Sequence, residues 1–257
     1  MIELFKFVWQ LIEIYKKIKK QYDKNIIYVN CNKKFLGEDM RTFEKEIGLQ
    51  NSNVIQLYTL NDKYYKLHLK KMKYIWKRFN KSKKYSKTLY YTGCVSVPLA
   101  IYDGYMASNK ANIVFLENNK NTNKKYIVKS SKKHIDYDIN YEIENSLEDI
   151  NVVINSSYDI STDKLPKRNS IFLNVRMKNE VISKEYLDFV YEECLKLFDY
   201  LDYKNVKNIH LYVAARQSIA FTIGSSIQKH HPNVYCYEYE NGNYTWKINI
   251  KEGRIQK

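Results

Sequence analysis

The sequence predicts an α/β protein made of two similar halves, preceded by a short N-terminal helix. Short runs rich in Val, Ile and Tyr alternate with helical patterns along the chain, as strands and helices do in βαβ units. One strand, loop, helix, strand pattern recurs about 120 residues further on, which marks an internal repeat. The 257 residues, 44% of them apolar, are enough for one large α/β domain or two small ones around a real core.

Residues 1–22 form the expected N-terminal helix. Glu3, Lys6, Gln10 and Glu13 recur every three or four positions between Ile2 and Tyr15, drawing one polar stripe on an otherwise apolar cylinder. They interrupt the ~20-residue apolar length of a membrane span, and no signal-peptide cleavage pattern follows. A cytoplasmic protein with no membrane span is expected. The apolar face docks on its own domain or, alternatively, on a partner, and Lys16, Lys17, Lys19 and Lys20 suit the negative end of the helix dipole.

The first half, 23–130, opens with strands at 26–30 (IIYVN) and 54–60 (VIQLYTL), followed by a basic helix over about 62–80. A strand at 89–92 runs through Gly93, Cys94, Val95 and Ser96 into a helix that Pro98 opens at its first turn. Strands at 112–116 and 125–129 complete this sheet. Residues 131–149 are polar, without period, and are the expected linker. The second half, 150–257, restarts with strands at 150–154 and 171–175. Ser183 then caps a helix whose Leu187, Val190, Tyr191, Cys194, Phe198 and Leu201 share a face. A strand at 208–213, a helix at 218–229 and a strand at 234–239 follow, and Asn241-Gly242 turns the chain into a last strand at 244–250.

The halves match at an offset of 120. Leu89 falls on Ile209, and Pro98-Leu99-Ala100 with Gly104 falls on Ser218-Ile219-Ala220 with Gly224; at 121, Asn112, Ile113 and Glu117 fall on Asn233, Val234 and Glu238. Ala and Gly four apart on one helix face let a helix approach a sheet closely.

Formal charge is +15 and uneven: residues 1–150 hold 28 Lys and Arg against 16 Asp and Glu. Segment 61–87 alone carries 11 basic residues and one acid, which reads as a solvated face or as a surface for a polyanion. Cysteines at 31, 94, 194 and 236 form no CxxC pair and no ligand spacing with the five histidines, so neither a disulfide nor a zinc framework is expected. The sequence contains no Walker loop, G-x-S-x-G elbow, HExxH or dinucleotide GxGxxG. No catalytic residue, metal or cofactor is therefore expected. Glu44 and Glu46, and Glu192 and Glu193, read as solvated helix faces, and His230-His231 as a capping or surface pair beside Pro232.

In open α/β sheets, ligands bind beyond the carboxyl ends of strands. Two equivalent loops qualify, Gly93, Cys94, Val95 and Ser96 in the first half and Ala214, Ala215, Arg216 and Gln217 in the second. Each leads into a helix whose first N–H groups favour anions, with Ser218 at the second start. Asn155, Ser156 and Ser157 form a further polar cluster at a strand end. Arg216 has no acidic partner nearby in sequence. Tyr158, Tyr212, Tyr244 and Trp246 are candidates to stack on bases. Two such loops facing one pocket suit a ligand with several phosphates in a ring.

YYTGCVSVPLAIYDGYMASNKANIVFLEN at 90–118 and KNIHLYVAARQSIAFTIGSSIQKHHPNVYCYEYENGNYTWKINI at 207–250 resemble the SAVED domain, the sensor module of bacterial cyclic-oligonucleotide antiphage systems. INVVINSSYDI at 150–160 is similar to that family's middle strand, and the likeness spans roughly 25–250. It implies two pseudo-symmetric CARF-like Rossmann halves with a cyclic oligonucleotide between them, of the cyclic tri- or tetra-adenylate type or a cyclic dinucleotide. It also implies ligand-induced homo-oligomerisation that activates an effector, as in CBASS-type defence. Family members usually carry that effector ahead of the sensor; here only the short helix precedes the first strand, so a separately encoded effector is the expected partner. Two other readings stay open: a ring-nuclease-like enzyme that degrades the messenger, and a general nucleic-acid-binding protein using 61–87.

Overall fold

The computed structural model describes residues 26–32, 53–59, 65–82, 88–107, 112–118, 125–130, 138–140, 148–176 and 181–257. The helix expected at 1–22 and the acidic pair Glu44 and Glu46 lie outside the described residues. Strands β1 (Ile26–Asn32), β2 (Asn53–Thr59), β3 (Leu89–Cys94), β4 (Ile113–Asn118) and β5 (Lys125–Ile127) form one sheet in the order β2-β1-β3-β4-β5. The first four strands are parallel, and β5 folds back antiparallel on β4. A second sheet, ordered β12-β11-β10-β9-β7-β8-β6, contains β6 (Asp138–Asn140), β7 (Asp149–Asn155), β8 (Ser170–Asn174), β9 (Asn208–Ala214), β10 (Asn233–Glu240), β11 (Asn243–Asn249) and β12 (Arg254–Gln256). Its centre, β8-β7-β9-β10, is parallel, and β11 returns antiparallel.

Without β6 and β12 the second sheet repeats the strand order of the first. Helices fall at matching places: α1 (Tyr65–Ser82) follows β2, α2 (Val97–Ala107) follows β3, α3 (Lys184–Tyr203) follows β8 and α4 (Gln217–Ser226) follows β9. The stretch 131–149, expected as linker, contributes β6 to the outside of β8. Three residues at a sheet edge are too few to leave a readable period. The second turn matches expectation, since Asn241 (φ 51°) and Gly242 (φ 88°) both take the left-handed backbone of a two-residue hairpin.

One continuous core serves both sheets. Phe221 of α4 reaches out of the second half to Tyr91 (4.5 Å between centroids), Phe115 (5.2 Å) and Trp76 (5.9 Å) of the first. Beside it Asp103, fully buried, accepts hydrogen bonds from Trp76 Nε1 (2.6 Å) and the Tyr91 hydroxyl (3.3 Å), which offsets the cost of taking a carboxylate out of water. The close approach expected against a sheet is made instead helix to helix, where α2 and α4 cross in direct contact. A Cβ on Gly104 would overlap the carbonyl oxygen of Phe221, and a Cβ on Gly224 would overlap that of Ile101.

Within α3, Ser183 Oγ accepts the Tyr186 N–H at 3.2 Å as the expected cap. Glu193, expected on a solvated face, is instead buried, with its Oε1 2.6 Å from Lys196 Nζ. Helix α4 ends at Ser226, three residues before the expected Lys229. Ser225 and Ser226 turn their hydroxyls back onto the carbonyls of Thr222 and Ile223, a local bond that competes with helix propagation.

Candidate functional site

The carboxyl ends of β3, β7 and β9 bring the three predicted polar clusters together. Ala214 ends β9, and its carbonyl accepts the N–H groups of Ser156 (3.0 Å) and Ser157 (2.8 Å). Gln217, the first residue of α4, donates through Nε2 to the Val95 carbonyl (2.6 Å) and accepts the Val95 N–H (3.4 Å). A single side chain thus joins the loops after β3 and β9.

Several predicted residues shape these loops. Gly93 and Cys94 are the last residues of β3, paired with Asn30 and Cys31 of β1. Asn155 donates to Asn174 Oδ1 (2.9 Å) and accepts the Ile160 N–H (3.1 Å). Ser156 Oγ meets the Tyr186 hydroxyl at 2.8 Å, and that hydroxyl donates to the Val175 carbonyl. Ala215 packs on the core. Arg216, which lacked a partner nearby in sequence, meets Tyr126 of β5 in space. Burial pushes the Tyr126 phenol up, and hydrogen bonds from the Ile182 N–H and Arg216 work against that rise.

The start of α4 corrects an expectation. Its N–H groups were read as open to an anion, yet Ser218 N–H donates to Glu117 Oε1 of β4 at 2.9 Å in a buried contact. A carboxylate from the first half already occupies the place of the anion, where the helix dipole favours it. Among the described residues, Ser96 Oγ and Ser218 Oγ are both buried without a hydrogen-bond partner.

The start of α2 is different, because a cavity of about 190 Å³ opens there, bounded by Val97, Tyr158, Lys164, Glu238, Tyr239 and Tyr244. The volume is below the roughly 300–1,000 Å³ of a whole drug-sized site and suits one part of a larger ligand. Tyr158 and Tyr244, two of the predicted base-stacking residues, are on its wall; Tyr212 is buried, stacked on Tyr237 at 4.7 Å and 15°, and Trp246 is buried as well. Burial pushes the Tyr244 phenol up to about 12, with Tyr158 and Tyr239 adding to the rise. Burial, then Glu238, then Tyr239 raise Tyr158. Both phenols are hydrogen-bond donors at neutral pH.

Lys164, Glu238 and Tyr239 are site residues that sequence reasoning missed. Lys164 sits in a short 3₁₀ turn (Thr162–Lys164) and donates to the Tyr239 hydroxyl (2.6 Å) and the Gly242 carbonyl (3.1 Å). It also stands 5.1 Å from the Tyr239 ring centre, a cation–π distance. The Tyr-Glu-Tyr run at 237–239 was the only signal available for this wall.

The model for the SMODS-associated and fused to various effectors sensor domain matches residues 75–250. The chain belongs to the SAVED family. This SAVED domain is similar in fold to Cap4 SAVED/CARF-domain containing receptors. The Acinetobacter baumannii receptor with the cyclic trinucleotide 2'3'3'-cAAA aligns over 90% of this chain and 52% of its own, at 13% identity and TM-score 0.59. The same receptor with 3'3'3'-cAAA aligns over 88% and 51%, at 15% and 0.57. A Moraxella osloensis receptor aligns over 87% and 49%, at 16% and 0.57. The chain therefore spans about half the length of the receptors it matches. No curated protein matches it.

Elsewhere in the SAVED domain, Asp199, His230 and His231 have their ligand atoms within 4.8 Å of one another. His231 Nδ1 accepts the Gln228 N–H (2.9 Å), so its proton sits on Nε2 and goes to Asp199 Oδ1 (2.8 Å). A protonated nitrogen has no lone pair for a metal; His231 caps the turn after α4, and His230 stays at the surface beside Asp199. No described helix is long and apolar enough to cross a membrane. The basic segment 61–87 forms α1 over much of its length, with Lys70, Lys71, Lys73 and Lys77 exposed and Leu69, Met72 and Trp76 buried.

Proposed function

We propose that the SAVED domain is a receptor for a cyclic oligonucleotide messenger in bacterial antiphage defence of the CBASS type. The ligand lies along the strand ends between two pseudo-symmetric halves. One base enters the tyrosine cavity, and the ring phosphates lie along the strand-end edge beside the loops after β3 and β9. Val95, Ser96, Ser157, Arg216 and Gln217 form the wall shared by the two halves, with Gly93, Cys94, Asn155, Ser156, Ala214, Ala215 and Ser218 supporting it. Ligand binding drives self-association, which activates an effector in the cytoplasm. The domain itself carries no catalytic role.

The observation that carries this reading is the tyrosine cavity at the start of α2, built from both halves at one strand-end edge. Its resemblance in fold to receptors described with cyclic trinucleotides supports the ligand class. Calorimetry with 3'3'3'-cAAA, 2'3'3'-cAAA, a cyclic dinucleotide and linear tri-adenylate tests it. A cyclic trinucleotide is expected to bind, and Tyr158→Ala or Tyr244→Ala to weaken it by about 1–3 kcal/mol. Equal affinity for the linear compound would overturn the reading. Chromatography of the ligand recovered after incubation separates a sensor, which returns it intact, from a ring nuclease.

A further inference from the structure

A second cavity, of about 250 Å³, is bounded by Lys70 and Lys73 of α1, Tyr102 of α2, and Glu252, Gly253 and Arg254 at the turn into β12. It lies at the other end of β10 from the tyrosine cavity. Asn249, just before that turn, pairs with Tyr235 near the start of β10, whereas Tyr244 of the tyrosine cavity pairs with Tyr239 near its end. Gly253 has left-handed backbone (φ 64°), and a Cβ there would overlap the Tyr102 hydroxyl, so the turn closes over that ring only as glycine. Tyr102 is 2% exposed, and its hydroxyl makes no hydrogen bond to the described residues. Burial, with Asp103 and Tyr105 adding to it, pushes the phenol up to about 12, so at neutral pH it is a donor facing the cavity. Lys70, Lys73 and Arg254 form no ion pair with Glu252 or with any other acid among the described residues. Three cations gathered at one cavity repel one another, and an anion between them relieves the repulsion.

Helix α1 continues this surface. Lys70, Lys73, Tyr74 and Lys77 share one side of it at i, i+3, i+4 and i+7. All four are exposed, Tyr74 by 65%, and no acidic residue occurs from Tyr65 to Ser82. We infer that this side of α1 and the cavity beside it are a docking surface for single-stranded nucleic acid. The backbone runs past Lys70, Lys73, Lys77 and Arg254, and one phosphate enters the cavity to accept from the Tyr102 hydroxyl. Cations alone would suit any polyanion. The exposed ring among them favours a single strand, whose unstacked bases can lie on Tyr74, over a duplex, which keeps its bases inside. Glu252 is the one acid among the lining residues and works against the phosphate. The surface is separate from the tyrosine cavity, and its role does not depend on the messenger.

Fluorescence anisotropy of the full chain with a labelled oligothymidylate of about 16 nucleotides tests this. Binding should weaken with salt, with a slope of log K against log salt of about −2 to −3 for the four cations. Lys73→Gln and Arg254→Gln should each weaken it several-fold and flatten the slope by about 0.7. Lys71→Gln removes the same charge from another side of α1 and should leave the slope unchanged. Tyr102→Phe should lower affinity about tenfold, as for a hydrogen bond to a charged group, with little change in thermal midpoint because the hydroxyl has no partner to lose. Glu252→Gln should strengthen binding. Excess cyclic tri-adenylate should leave the strand bound, since the two cavities lie at opposite ends of β10. Absence of strand binding, an equal loss in Lys71→Gln, displacement by the cyclic ligand, or preference for phosphatidylserine vesicles over the strand overturns the inference. None of these outcomes overturns the receptor reading.

Discussion

At the crossing of α2 and α4 the two halves make matching contacts, whereas at the strand ends they diverge. Gly104 faces the carbonyl of Phe221, and Gly224 faces that of Ile101, so each copy presents its glycine to the residue three places before the other's. Contacts exchanged in this way are the signature of a self-complementary interface, and they admit no side chain on either helix. A few residues earlier the same two helices begin differently: α4 is sealed by Glu117, and α2 opens on a tyrosine cavity. Close packing forbids change in both copies alike, because any added atom collides with backbone. A helix start at the edge tolerates change, and there the α4 start is locked to the first half while the α2 start borders a cavity.

The largest expected effect tests the matched part. Gly104→Ala and Gly224→Ala should each cost about 3 kcal/mol or more, at the upper end for overpacked sites, since the obstacle is backbone and cannot rotate away. Denaturant midpoints for both variants measure this, and a large loss in one with none in the other would break the equivalence. Glu117→Ala comes next. It leaves the Ser218 N–H buried without an acceptor, with an expected loss of about 1–3 kcal/mol. A midpoint equal to the native protein's would mean that the α4 start is no lock.

The smallest effect is a pH response of the second sheet. Burial, with Arg168 adding to it, holds His210 down to about 4 from 6.5, and burial also lowers His231. The unfolded chain therefore binds protons that the folded chain refuses. Stability is complete well above pH 6.5 and declines as pH falls from there toward 4. His210→Gln should flatten that decline in thermal melts at pH 7 and 5; an unchanged slope would assign it to other groups.

Much of the second half was legible in its residues. The strands at 150–154 and 208–213, the Ser183 cap and the Asn241-Gly242 turn all depend on neighbours a few positions apart, where alternation and local hydrogen bonds decide the outcome. Legible too were the two strand-end loops, which the structure joins through Gln217 and Val95, and Tyr158 and Tyr244, which border the cavity. Lys164 escaped notice because it reaches Tyr239, 75 residues away, and nothing in the run Ser-Thr-Asp-Lys announces that partner. Strand β6 escaped because an edge strand of three residues pairs by position alone.

By itself the sequence determined the alternation of elements, the repeat at 120 residues and the strand ends at which polar loops gather. Each of these follows from short-range propensity or from comparing the chain with itself. Only the tertiary structure decided that Arg216 meets Tyr126 and that Glu117 closes one helix start. Those outcomes depend on which half lies against which, because a hydrogen bond over 2.9 Å between residues 101 positions apart exists only once the sheets have packed.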